Sequence, residues 1–283
     1  MTPEVRIEVL CLREAALFSR RHPRYLLTAL ALWVHSLPRW RASRLLRAAW
    51  CLAQHVDDVL DGDRQVAGDP QEYVAALLRG MKGGGEGPPE AILAAYVWQG
   101  LDSSGRTDLL ALLDLLVEDR RRMDARQAWT AGALAAHHRK TFALSLDLTL
   151  RLDGAQLRAA DAPELVAALA WCSPVRDLEE DLEKGLINIP AEVLEQTRRG
   201  LSPREMLAEP AVRAWLADEH QRGSTAIVEL ARKLPAIRDR RSRKVVSAFH
   251  GALAAYERKY RRRHRPELTP GEARLLAGRD AAL

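Results

Sequence analysis

Apolar residues recur at intervals of three and four along nearly the whole chain, in stretches dominated by Ala, Leu, Arg and Glu, with no sustained two-residue alternation. This periodicity predicts an all-α protein. Gly- or Pro-bearing breaks fall at residues 35–40 (HSLPRW), 79–90 (RGMKGGGEGPPE), 101–108 (LDSSGRTD), 152–156 (LDGAQ), 187–190 (INIP), 198–203 (RRGLSP) and 265–272 (RPELTPGE). They divide the chain into roughly eight to eleven helices of ordinary length. No segment repeats itself at the spacing of a helical solenoid. The glycine-rich piece at residues 83–87 reads as a surface loop, because acidic elements on both sides of it must meet in one domain spanning residues 1–283.

The most apolar window, LLTALALWVHSLP at residues 26–38, is too short to span a bilayer and is flanked by arginines. It is expected to form a buried helix. The N-terminus lacks the basic start, apolar middle and small-residue cleavage site of a secretory signal. Cys11, Cys51 and Cys172 are an odd set at wide spacings without a CxxC pair, so neither a disulfide framework nor a zinc site is indicated. These features together suggest a cytoplasmic protein, soluble or peripheral to the inner face of a membrane.

The formal net charge is +5, but the basic residues are spread along the chain and interleaved with acids at helical spacing. Small polyanions suit that distribution, and nucleic acid is not an expected partner. The densest basic run, from Tyr256 to Pro266, reads first as a solvated helix end. Its second reading is transient contact of Arg258, Lys259 and Arg261 to Arg263 with an anionic membrane surface.

Two acidic segments carry the chemistry. In AAWCLAQHVDDVLDGDR, residues 48–64, Asp57 and Asp61 lie four apart on one helical face with Asp58 beside them, directly behind an apolar run. In RDLEEDLEKG, residues 176–185, Asp177 and Asp181 are again four apart, and Glu180 lies one turn after Asp177. A single such motif is most often a solvated acidic face. Two of them turned toward each other form an all-oxygen cage suited to a hard divalent ion, above all Mg2+, and buried carboxylates require such a cation.

AQHVDDVLD resembles the first aspartate-rich motif, and VRDLEEDLEKGLINIP the second, of the squalene and phytoene synthase family of prenyl synthases. The second segment keeps the order R-D-x-x-E-D-x-x-x-G and closes on I-P where the family has Y-L-P. Leu37 and Pro38, Met123 and Asp124, and the late segment AFHGALAAYERKY extend the resemblance over most of the chain. It implies an antiparallel helical bundle of the isoprenoid synthase type around a central apolar cavity. By the same resemblance Asp57, Asp58, Asp61, Asp177, Glu180 and Asp181 hold Mg2+, typically three ions, against the diphosphates of prenyl substrates, and Arg176 meets phosphate. The implied reaction joins two allylic chains of fifteen or twenty carbons head to head.

Several positions depart from the family pattern. Gln54 stands where an arginine precedes the first motif, and Ala170 and Ser173 replace Gln and Asn before the second, with Pro174 following. The second acidic helix is therefore expected to start late. In LAAHHRKTFALSLDL, residues 134–148, His137 or His138 takes a tyrosine position, and Phe142 and Leu146 occupy places given to glycine. Bulk there should narrow the cavity. Lys140 and Thr141 resemble the lysine-threonine pair of head-to-tail isoprenyl diphosphate synthases, so Lys140 and its neighbour Arg139 are expected near the diphosphate. The histidines fit a polar stripe on a surface helix equally well.

This segment motivates a second reading, a terpene cyclase or head-to-tail prenyltransferase on the same fold. Against a cyclase, Trp, Tyr and Phe number 7, 5 and 3, which leaves few π faces to guide a travelling cation. A third reading, a non-catalytic family member acting in binding or assembly, conflicts with the full occupancy of both acidic motifs. No dinucleotide-type glycine motif follows a strand, and the sequence leaves NADPH use and oligomeric state open.

Overall fold

The computed structural model of the protein describes residues 2–83 and 87–264. Among these, helices α1 (Pro3–Arg21), α2 (Leu26–Ser36), α3 (Arg44–Leu60), α4 (Pro70–Lys82), α5 (Pro89–Gly100) and α6 (Ser103–Ala125) form the first half. The second half comprises α7 (Ala131–Asp153), α8 (Pro163–Lys184), the short α9 (Ala191–Leu194) and α10 (Pro203–Ala208), α11 (Pro210–Lys233) and α12 (Arg240–His264). No strand occurs among the described residues, as the periodicity predicts. The break at 265–272 and the end of the basic run at Pro266 lie outside them.

Local chemistry sets many of the boundaries. Thr2, Asp69, Asp102 and Thr130 each accept a backbone amide at the start of α1, α4, α6 and α7, satisfying donors that the first turn leaves free. Gly185 closes α8 with a left-handed φ of 97°, a conformation that side chains resist.

Pro174 does not delay α8, contrary to expectation: the helix runs unbroken from Pro163 to Lys184. An internal proline typically costs about 3 kcal/mol, so packing must offset it. Leu165, Ala168 and Trp171 of α8 are buried in a core shared with α7, α11 and α12. Gly223 of α11 allows the close approach, since a Cβ there would lie 2.2 Å from the Trp171 ring.

The core of the described residues divides into two large clusters and a small third one of Leu178, Ile189 and Val212. The first large cluster joins α1, α3, α4, α5 and α6, with Leu148 of α7 at its edge. The second joins α7, α8, α11 and α12. Helix α3 thus belongs to the first cluster and α8 to the second and third, so the two acidic motifs face each other where the clusters part.

The apolar window at 26–38 gives the main correction to the fold expectation. Helix α2 is not buried: Leu26, Leu30, Val34 and, just beyond it, Leu37 are 51 to 61% exposed. Its inner face rests on the first cluster through Trp33, which stacks with Trp40 beside the fully buried Arg47 guanidinium. All three cysteines are free and buried, as their spacing suggests.

Gly223→Ala should drive Trp171 from its seat and lower stability by about 1–3 kcal/mol, read as a fall in melting temperature. An unchanged melting temperature would mean that Trp171 has room the packing does not show.

Candidate functional site

Asp57 and Asp58 lie in the last turn of α3, and Asp61 caps it. With Asp177, Glu180 and Asp181 of α8 they line a single cavity of about 300 Å³. Below the acids the wall is made by Phe18 of α1, Leu112 and Leu116 of α6, and Phe142 of α7. Gln54, Thr141, Ser145 and Ser173 add polar atoms. No tryptophan is among the described lining residues; Trp40, Trp98, Trp129 and Trp171 pack on arginines and aromatic rings elsewhere.

The carboxylates are not equivalent. Asp58 is buried and held by the protein's own side chains: Arg21 Nε donates to it at 2.8 Å, and His22 Nε2 lies 2.8 Å from its other oxygen. Asp177 accepts the Tyr25 hydroxyl at 2.7 Å and the Arg176 guanidinium at 2.8 Å, and that guanidinium lies 4.5 Å from the centre of the Tyr25 ring. Lys184 Nζ bridges Asp63 at 2.8 Å and Glu180 at 3.1 Å. Asp181 receives a neutral hydrogen bond from Asn188 at 2.9 Å. Asp57 and Asp61 accept no side-chain hydrogen bond among the described residues.

Proton affinities follow this division. Burial, compounded by the charges of Asp61, Asp58, Asp119 and Asp181, raises Asp57 well above the usual carboxylate range. Burial raises Asp61 to about 6, with Lys184 opposing the added repulsion of Asp63 and Asp119. Burial and the neighbouring Asp177 and Asp61 raise Asp181 to about 8 against the Asn188 hydrogen bond. Lys184 keeps its charge, because its bonds to Asp63 and Glu180 outweigh the burial that opposes it. Asp57, Asp61 and Asp181 are therefore the oxygens left for an external cation. Such an all-oxygen donor set fits a hard divalent ion.

A neighbouring group, His22, Asp58 and Asp63, also brings ligand atoms within 4.8 Å of one another. Arg21 and Lys184 already supply the positive charge there.

Helix α7 divides the sequence expectations. Phe142 faces the cavity, as does Thr141, but Leu146 is buried in the second core cluster and does not line it. Arg139 and Lys140 are exposed and outside the cavity wall, because Thr141, Phe142 and Ser145 take the inward face of the helix. Among the described residues, the Arg and Lys side chains that do line the cavity are Arg176 and Lys184. His137 is buried with Nε2 2.9 Å from Asp119, which also accepts from Arg122 at 2.6 Å. Loss of solvation pushes His138 down to about 4 despite the Asp119 charge, so it is neutral. Neither histidine lines the cavity; both stand in a layer behind it that includes Asn188. They are not a solvated stripe.

Sequence reasoning missed Tyr25, Arg21, His22, Lys184, Asn188 and Asp119. Lys184 was legible, four residues after Glu180 in the acidic motif itself. Tyr25 and His22 were not, since 152 residues separate Tyr25 from its partner Asp177.

No protein-family model and no curated protein matches the sequence. In three dimensions the chain is similar to squalene synthase HpnC from Alicyclobacillus acidocaldarius, with a TM-score of 0.63 and 20% sequence identity over 93% of this chain and 98% of that one. The protein therefore has the all-α fold of that squalene synthase, an isoprenoid synthase bundle, as its acidic motifs and helical periodicity led one to expect.

Proposed function

We propose that the protein is a Mg2+-dependent prenyl synthase of the squalene and phytoene synthase type, joining two allylic diphosphates of fifteen or twenty carbons head to head. The observation that carries this reading is the meeting of two acidic helices over one partly apolar cavity, with three carboxylates that lack a cationic hydrogen-bond partner among the described residues. The structural likeness to a squalene synthase supports it.

Asp57, Asp61 and Asp181, with Glu180 beside them, would hold Mg2+. When bound, the metal compensates the negative charge that develops on the departing diphosphate. Arg176 and Lys184 present cations to the same oxygens, and Arg176 is oriented by its bonds to Asp177 and Ser173 and by the Tyr25 ring. Phe18, Leu112, Leu116 and Phe142 exclude water from the allylic cation, and the two phenyl faces offer it negative potential. Tyr25, His22 and Arg21 fix the acids without standing among the metal oxygens.

One observation favours the alternative of a terpene cyclase or head-to-tail prenyltransferase: the cavity is small, about 300 Å³, with Phe142 in its wall. Incubation of the purified protein with Mg2+ and C10, C15 or C20 diphosphates, with and without NADPH, separates the readings. A product of twice the substrate's carbon number joined head to head supports the proposal; a cyclised or head-to-tail product supports the alternative.

Asp57→Asn and Asp181→Asn should each lower turnover by about a thousandfold or more while leaving the protein folded. Arg176→Ala and Lys184→Ala should raise KM for the diphosphate by roughly tenfold or more, whereas Arg139→Ala and Lys140→Ala should leave it unchanged.

The raised carboxylates also fix a pH dependence. Above the ordinary value of 3.8 the unfolded chain has released protons that the folded, metal-free protein still holds at Asp61 and Asp181, up to about 6 and about 8. Stability contributed by these groups is therefore present at low pH and lost as pH rises through that window. Asp57→Asn should raise the metal-free melting temperature at pH 8 by about 2–4 °C. Mg2+ should stabilise the wild type more at pH 8 than at pH 5, measured by thermal melts in each buffer.

A further inference from the structure

Among the described residues, the large apolar side chains most exposed to solvent are confined to one end of the chain. Val5, Val9 and Leu12 of α1, Leu26, Leu30 and Val34 of α2, and Leu37 just beyond are each 48 to 61% exposed. Spacings of three and four place each helix's set in a single stripe. Helix α1 is thus apolar on two sides, since Ile7, Leu10, Cys11 and Phe18 enter the core opposite the stripe. No packing among the described residues accounts for the outer one.

The charge beside the stripe has one sign. Arg6, Arg13 and Arg20 recur every seven residues, so they form a row along its border, and all three are exposed. None of them forms an ion pair among the described residues. Of the acids on α1, Glu8 is bound to Arg44 and Arg47 and Glu14 to Arg64, leaving Glu4 at the helix start. The turn joining α1 to α2 carries His22 and Tyr25, both in the cavity wall, so this surface continues to the cavity mouth.

We infer that the outer faces of α1 and α2 dock the protein on an anionic membrane surface, with the apolar stripes entering the interface and the arginine row meeting lipid phosphates. An apolar helical stripe bordered by cations suits that boundary. A second copy of this chain suits it poorly, because a symmetric contact would bring the arginine row against itself. No described helix is long and apolar enough to cross a membrane, so the association is peripheral. It would let a prenyl chain pass between bilayer and cavity without crossing water, a consequence that rests on the proposed prenyl chemistry. The docking surface itself does not. This assignment moves the membrane contact away from the basic end of α12, where Arg261 pairs with Glu257 and the exposed basic residues have no comparable apolar stripe beside them.

Co-sedimentation of the full chain, without substrate, with vesicles of phosphatidylcholine alone or mixed with phosphatidylglycerol tests the inference. The wild type should bind the mixed vesicles and be released by salt. Leu12→Ser/Leu30→Ser/Val34→Ser and Arg6→Gln/Arg13→Gln/Arg20→Gln should each weaken binding by roughly a hundredfold with unchanged melting temperature. Arg258→Gln/Lys259→Gln/Arg262→Gln/Arg263→Gln should bind as the wild type does. The inference is overturned if the wild type binds neither vesicle or if the α12 variant alone loses binding. It is also overturned if the serine variant converts a dimer to a monomer by light scattering while vesicle binding persists. Turnover of a short, water-soluble allylic diphosphate, measured without vesicles, reports on the proposed reaction independently.

Discussion

Repulsion among carboxylates that the fold brings to one cavity is the constraint on which the rest of the molecule turns. Burial of α3 and α8 in separate core clusters forces Asp57, Asp61 and Asp181 together in poorly solvated surroundings, where each makes its neighbours harder to ionise. The protein neutralises only part of this charge. Arg21 and His22 serve Asp58, Arg176 and Tyr25 serve Asp177, and Lys184 serves Asp63 and Glu180. What remains is a defined seat for outside positive charge. On the proposed reading, a site so built would sacrifice stability in the metal-free state and recover it on binding a cation.

The internal cations also arrange the site in layers. Outermost along the chain, α1 and its turn lay Arg21, His22 and Tyr25 across the acids, so the N-terminal helix pair is part of the site as well as of the surface. Behind α7, the Asp119, His137 and Arg122 group and the neutral His138 back the wall, with Asn188 carrying a hydrogen bond from that layer to Asp181. Gly185 makes this last contact accessible by turning the chain directly after α8.

Local patterns revealed the helices and the two acidic faces, because these depend on spacing within one segment, whereas the convergence of the faces was implied by the family resemblance. Three other features depended on which face of a helix meets which neighbour. Phe142 and Leu146 are four apart, yet one lines the cavity and the other joins a core cluster, a difference set by the partners of α7. Lys140 sits one residue before a cavity residue and is nevertheless on the solvent side. Apolar content in α2 predicted burial, whereas its position at the edge of the bundle leaves Leu26, Leu30 and Val34 about half exposed; composition reports affinity for an apolar environment and not whether the chain itself supplies one.

The central claim is that Asp57, Asp61 and Asp181 form a cation seat whose protons must leave when the cation arrives. Calorimetric titration of the metal-free protein with Mg2+ and inorganic pyrophosphate at pH 7, in buffers of different ionisation enthalpy, measures that release. Net release of about one proton per protein or more is expected, from Asp181 with its value near 8 and from the raised Asp57, with a marked reduction in Asp181→Asn. Binding with no proton release, or the same release in Asp181→Asn, would contradict it.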